Sequence, residues 1–133
     1  MAAPKQRLGF WYRVVANFLR PILMVTTRRA WSGTEHLPPA GIGVVVPHLR
    51  PRIAQLAFLH VSAPLRATGI GSRLSEQLEQ IARAAGDSDM VVSATPSENT
   101  VRFYLGRGFQ PMAEPLAELF ELEPEDVHMR KVL

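Results

Sequence analysis

No stretch of this chain narrows its folding choices as much as Leu59 to Gly86. An apolar run ending in Ser62-Ala63-Pro64 passes into Arg66-Ala67-Thr68-Gly69-Ile70-Gly71, and a long amphipathic pattern follows at once. Leu74, Leu78, Ile81, Ala82 and Ala85 recur at helical spacing with Glu and Gln between them, and Gly86 ends the run. A helix with one apolar stripe must bury it, and the preceding strand, Ala54 to Val61, predicts a sheet as the covering surface. Glycines at positions 69 and 71 let backbone approach a ligand closely. Successive N–H groups opening a helix form a partly positive cradle for phosphate, and a diphosphate is the natural guest. Arg66 and Arg73 would add charge-assisted hydrogen bonds.

The rest of the chain is read around that unit. Ile42 to Val46 forms a short buried strand after the Pro- and Gly-rich stretch 32–43, and Pro47 to Arg52 breaks it. Met90 to Ala94 is another buried strand. Ser97 caps a helix running to about Leu105, with Gly106 and Gly108 stopping it. A strand starts at Phe109, Glu114 to Asp126 is acidic and punctuated by proline, and Val127 to Val132 is a final strand at a sheet edge. Leu8 to Thr27 is apolar and aromatic but carries Arg13, Asn17, Arg20 and Pro21. A spanning helix wants roughly 20 apolar residues, so this run suits either an interfacial helix or a helix packed on the core. No signal-peptide cleavage site follows it.

Charge divides the chain. Residues 1–52 hold eight Lys/Arg against one Glu, residues 53–133 seven against eleven Asp/Glu. The arginines of the front half are strung through apolar sequence rather than clustered, which argues against nucleic acid as partner. The chain has no cysteine. That excludes disulfides and thiolate metal sites and makes the cytoplasm the expected setting. His36, His48 and His128 lack the spacing of helical metal ligands, so no metal is expected.

Two motifs together carry a family resemblance. LHVSAPLRATGIGSRLSEQLEQIA is similar to the acetyl-CoA loop and helix of the GNAT N-acetyltransferase superfamily, whose loop reads Arg/Gln-x-x-Gly-x-Gly/Ala. Some thirty residues later, the run from Asn99 to Phe109 resembles the family's second motif, an Asn-led helix bearing Phe-Tyr and closing on Gly-Phe. The resemblance covers about residues 53–133. It implies an α/β fold, a small mixed β-sheet flanked by helices, and acetyl-CoA as cofactor. Carried over residue by residue, it puts Gly69, Ile70, Gly71, Ser72 and Arg73 on the diphosphate with Arg66, Leu59 and Val61 beside the pantetheine, and Asn99 near the cofactor arm. Tyr104 stands where the family's general acid stands, with packing under its helix as the alternative. His60 is the candidate general base, with a satisfied strand histidine as the alternative. Glu76 and Glu79 are expected on a solvated helix face, Glu79 pairing with Arg83.

Residues 8–48 resemble a different family, the opening of a 1-acylglycerol-3-phosphate acyltransferase, through Trp31-Ser-Gly-Thr-Glu-His-Leu-Pro-Pro and a Gly-Val-Val-Val strand leading to His48. That family places an Asp shortly after the His; here Ile53 stands there, so with no carboxylate to orient it His48 is not expected to catalyse acyl transfer to a lipid. The expected organisation is a leader over 1–48 and an acetyl-CoA-binding domain over 49–133, a GNAT-like fold truncated at its N-terminal side. The Ile42–Val46 strand should pair beside Ala54–Val61, with the N-terminal helix across the sheet. A homodimer is the other way to cover an opened edge. The implied function is acetyl transfer to a primary amine, the acceptor being illegible. The alternatives are a CoA-binding remnant without turnover and a protein touching membrane surfaces through residues 8–29.

Overall fold

The computed structural model describes residues 23–27, 41–63 and 66–133. Their elements are β1 (Leu23–Thr27), β2 (Gly41–Arg50), β3 (Ile53–Val61), α1 (Ile70–Ala84), β4 (Asp89–Ala94), α2 (Glu98–Gly106), β5 (Gln110–Pro111), α3 (Ala117–Leu122) and β6 (Val127–Val132). The strands form one mixed sheet in the order β1-β2-β3-β4-β6-β5. Only β3 and β4 run parallel; the other pairs are antiparallel.

The sheet has two faces with separate cores. Val45, Ala54, Leu56, Met90, Val92, Ala94 and Met129 bury one face beneath Leu78 and Ala82 of α1 and Tyr104 of α2. Leu49 and Val91 bury the lower part of the other face beneath Leu116 and Leu119 at α3. α1 can lie close to β2 because two inward positions there are glycine. A Cβ at Gly41 would come within 2.7 Å of Leu74 Cδ1, and one at Gly43 within 2.9 Å of Leu78 Cδ1.

Several expectations need correction. Leu23–Thr27, at the end of the run read as a helix, is a strand: β-branched Val25, Thr26 and Thr27 follow Pro21 and suit an extended backbone. The rest of that run lies outside the described residues. β2 pairs with β3 as expected, but it continues through Pro47 to Arg50 instead of stopping at Val46. A register shift between Val46 and Arg50 absorbs the proline, whose missing N–H is harmless in a bulge. Among the described residues two strands, not one, precede β3. β6 is not the sheet edge, because the two residues of β5 pair with Arg130 and Met129. α3 occupies the acidic segment where no helix was expected; with six residues it is too short to show a periodic pattern.

Glu79 is also misplaced by the sequence reading. It is 4% exposed and its Oε1 lies 2.6 Å from Lys131 Nζ, with Arg83 more distant at 3.7 Å. Glu76 is exposed as expected and pairs with Arg107 at 2.7 Å, tying the end of α2 to α1. Among the described residues no helix is long and apolar enough to cross a membrane.

Candidate active site

The sheet is split above its middle. β3 and β4 pair from Ile53–Asp89 only as far as Leu56–Val92, and beyond that each stays paired with its other neighbour but not with the other strand. A register jump at Val44/Val45 coincides with this point, leaving Ala57 of β3 as a bulge residue between Leu56 and Phe58. A bulge increases local twist, which swings the upper part of β3 away from β4.

The gap widens into a cavity of about 760 Å³. One wall is Leu59, His60 and Val61 at the end of β3. The loop contributes Arg66, Ala67, Gly69, Gly71 and Ser72. Thr95 lies beyond β4, and α2 presents Asn99, Thr100, Phe103 and Tyr104. Nine residues singled out from sequence thus meet in one place: Leu59, His60, Val61, Arg66, Gly69, Gly71, Ser72, Asn99 and Tyr104. Ile70 points elsewhere, its Cγ2 being 3.2 Å from where a Cβ on Gly41 would stand. Arg73 is exposed and does not line the cavity, though its N–H bonds Gly69 O at 3.1 Å.

The loop is built for close approach. Ala67 and Gly69 both have positive φ, +63° and +84°, and α1 begins immediately after Gly69 with no side-chain cap and no acidic residue in its first turn. The opening N–H groups of a helix lack intrahelical partners, so an uncapped first turn beside a cavity leaves donors for an anion. A Cβ on Gly69 would meet nothing within 4 Å, and one on Gly71 would only touch Phe103 and Val61 at 3.5–3.6 Å. The protein itself therefore does not require glycine at 71; a ligand on that surface would. Arg66 Nε donates to Val61 O at 3.2 Å, pinning the loop to the strand it leaves.

Across the gap, Ser97 caps α2: its Oγ accepts from Thr100 N–H at 3.3 Å and donates to Thr100 Oγ1 at 2.8 Å. This holds the Asn99–Thr100 end of α2 against the cavity. Tyr104 is 6% exposed and packs edge-on against Phe103 (5.1 Å) and Phe109 (5.4 Å), yet it also reaches the cavity. The packing and chemical readings of this residue are thus compatible. His60 is exposed on the opposite face of β3 from α1 and stacks on Phe58 at 6.2 Å.

Ala67, Thr95, Thr100 and Phe103 line the cavity without having been singled out from sequence. For two of them the signal existed. Asn99, Thr100, Phe103 and Tyr104 fall at i, i+1, i+4 and i+5, one continuous helix face, so choosing Asn99 and Tyr104 implied their neighbours. Among the described residues no group of three His, Asp or Glu is placed to hold a metal ion.

Comparison with known proteins bears on the fold. Among solved structures, the IAA acetyltransferase from Bacillus cereus superposes with a TM-score of 0.70 at 19% identity, covering 99% of this chain and 93% of that one. The PaiA N-acetyltransferase from Thermoplasma acidophilum, solved in complex with coenzyme A, gives 0.65 at 18% identity, covering 98% and 72%. A Bacillus subtilis acetyltransferase in complex with CoA gives 0.67 at 17%, covering 100% and 95%. At such identities the likeness concerns the fold. Comparison with curated protein sequences finds no match. The family model for the acetyltransferase (GNAT) domain matches residues 29–132, a span that takes in β2 as well as everything from β3 onward. The chain belongs to the GNAT acetyltransferase domain family.

Proposed function

We propose that this protein transfers an acetyl group from acetyl-CoA to a primary amine by direct attack. The observation that carries the reading is the split between β3 and β4, flanked by an uncapped helix opening on one side and Tyr104 on the other. Two of the structural neighbours are complexes with coenzyme A, which supports the same ligand class here.

The residues present fit a CoA thioester. The loop offers backbone donors, room over Gly69 and Gly71 and the Arg66 guanidinium, with no carboxylate among the described residues lining the cavity to repel a diphosphate. Leu59 and Val61 lie where β3 is paired with β2 but no longer with β4, so the side of the strand facing the gap suits the amide groups of a pantetheine arm. When bound, acetyl-CoA supplies the electrophilic carbonyl and a thiolate leaving group. Tyr104, whose ring is held by two edge-on aromatic contacts, can deliver a proton to the departing sulfur. His60, on the sheet face away from α1 and α2, is the titratable group best placed to take a proton from an amine arriving there.

Calorimetric titration of the full chain with acetyl-CoA and with dephospho-CoA, alongside a Gly69→Glu/Gly71→Glu variant, tests the loop. Binding by the parent chain and none by the variant supports the assignment, and equal affinity overturns it, because two carboxylates there would clash with and repel phosphate. Thiol release over a panel of amino acids, arylalkylamines and polyamines then separates an active enzyme from a protein that binds CoA without turnover.

A further inference from the structure

On the sheet face away from α1 and α2 lies a hydroxyl–imidazole pair with no part in the chemistry above. Ser93 of β4 and His128 of β6 are cross-strand partners, and Ser93 Oγ is 3.1 Å from His128 Nδ1. The other ring nitrogen, Nε2, stands 2.9 Å from the backbone carbonyl oxygen of Glu123. A carbonyl oxygen only accepts, so Nε2 bears the proton. In the neutral ring Nδ1 is then bare, and the Ser93 hydroxyl must be the donor to it. This commits the single proton of Ser93 and leaves its oxygen a pure acceptor toward any third group.

The surroundings keep that arrangement in place. His128 is 6% exposed, with the Phe120 ring 6.1 Å away. The charged groups further along this face, Asp89 and Arg130, pair with each other at 2.5 Å. Ser93 itself is only half-buried. It is the first residue of β4 beyond the last β3 pair, so it sits at the vertex of the split. Thr95, which lines the cavity, is two residues on, roughly 6.6 Å at the usual rise of a strand. His60 is on the same sheet face, on the opposite wall.

We propose that Ser93 is an acceptor-binding residue, held in its accepting state by His128 as a positioning residue, and that this makes the cleft selective for primary amines. The inference rests on the reading of the chain as an N-acetyltransferase. A neutral primary amine has one lone pair and two N–H bonds. With the lone pair on the thioester carbonyl, one N–H faces His60 and the other donates to Ser93 Oγ. A secondary amine has one N–H and leaves one of these two groups unpaired. As the N–C bond forms and the C–S bond breaks, the first proton passes to His60 and Tyr104 protonates the thiolate. The hydrogen bond to Ser93 persists in the amide product and carries no net proton.

Two measurements test this on the full chain. Two-bond ¹H–¹⁵N correlation should show the neutral ring of His128 carrying its proton on Nε2. A proton on Nδ1 overturns the proposal, because the serine would then be turned round to present its own proton to the cleft. This arm needs no acceptor. Steady-state kinetics with the fastest primary amine of the panel and its N-methyl derivative form the second arm. Ser93→Ala should raise KM for the primary amine about five- to tenfold, the worth of one hydrogen bond, and narrow its advantage over the N-methyl derivative. Ser93→Thr should restore both, and the affinity for CoA should be unaltered throughout. An unchanged amine KM in Ser93→Ala, or a parallel loss of CoA affinity, overturns the assignment. Absent CoA binding in the parent chain would instead defeat the function reading, which the calorimetric titration registers separately.

Discussion

Glu79 shows how a buried charge can depend on a distant partner more than on the one a helical turn away. Its carboxylate is almost entirely removed from water and is compensated by Lys131, whose side chain is itself 19% exposed and lies over the Phe109 ring at 5.9 Å. Deleting one member of such a pair strands the other, whereas replacing both with apolar groups of similar volume is often neutral. Glu79→Ala should therefore lower unfolding free energy by roughly 3 kcal/mol, the lower end of the usual range because Lys131 keeps some solvent, while Glu79→Met/Lys131→Met should recover most of it. Urea denaturation followed by circular dichroism decides, and a Glu79→Ala loss under about 1 kcal/mol would mean the pair is solvated after all. From sequence the residue looked exposed because Arg83 stands at i+4; the partner that buries it is 52 positions away. His48 was similarly illegible. Its N–H donates to Asp87 Oδ2 at 3.0 Å and its Nδ1 lies 2.7 Å from Oδ1, a carboxylate with no exposed surface that holds a positive-φ residue in the bulge. At Tyr104 the two roles can be parted by mutation. Tyr104→Phe keeps both edge-on contacts, so stability and CoA affinity should hold while kcat falls at least tenfold if the phenol is the acid. Stopped-flow or steady-state thiol release measures it, and an unchanged kcat would restrict Tyr104 to packing.

At the scale of elements, what could be read from sequence was whatever had a strong local period or a cap. α1, the Ser97-capped α2 and the strands β3, β4 and β6 all fall within a residue or two of expectation. The exceptions lack such signals: β5 has two residues, α3 has six, and β2 runs through a proline only because a bulge accommodates it. The approach of α1 to β2 was likewise invisible, since Gly41 and Gly43 read as loop formers until β2 is paired. Their real constraint is steric. Gly41 is the tighter of the two, because a Cβ there also lies 3.0 Å from the backbone oxygen of His60, which cannot swing aside as a leucine methyl can. Gly41→Val should cost roughly 1–3 kcal/mol by overpacking and should shift β3 at His60, lowering turnover as well. Gly43→Ala, which meets only the Leu78 side chain, should cost less than Gly41→Ala; thermal melts of the two variants check the order, and the reverse order would contradict this packing.

Over the whole molecule, sheet continuity through the middle rests on four residue pairs between β3 and β4. On one side are β1, β2 and β3; on the other β4, β6 and β5. The candidate site is the opening where that seam ends, which explains why sequence motifs named most of its lining but could not show Thr95 or the bulge at Ala57: these matter only once two strands diverge. A ligand filling the opening must touch both sides, since Leu59 and Val61 belong to one and Asn99 and Tyr104 reach it from the other. Binding to the folded state alone adds RT ln(1 + [L]/Kd), about 2.7 kcal/mol at a hundredfold excess over Kd, or a rise in Tm of roughly 10 °C for a domain of this size. If acetyl-CoA spans the seam, hydrogen exchange should slow together at the end of β3, in the first turn of α1 and along the Asn99–Tyr104 face of α2. Protection confined to the α1 loop would place the ligand on the surface of that loop and leave the two sides uncoupled, whereas the split sheet requires them to be joined through whatever occupies it.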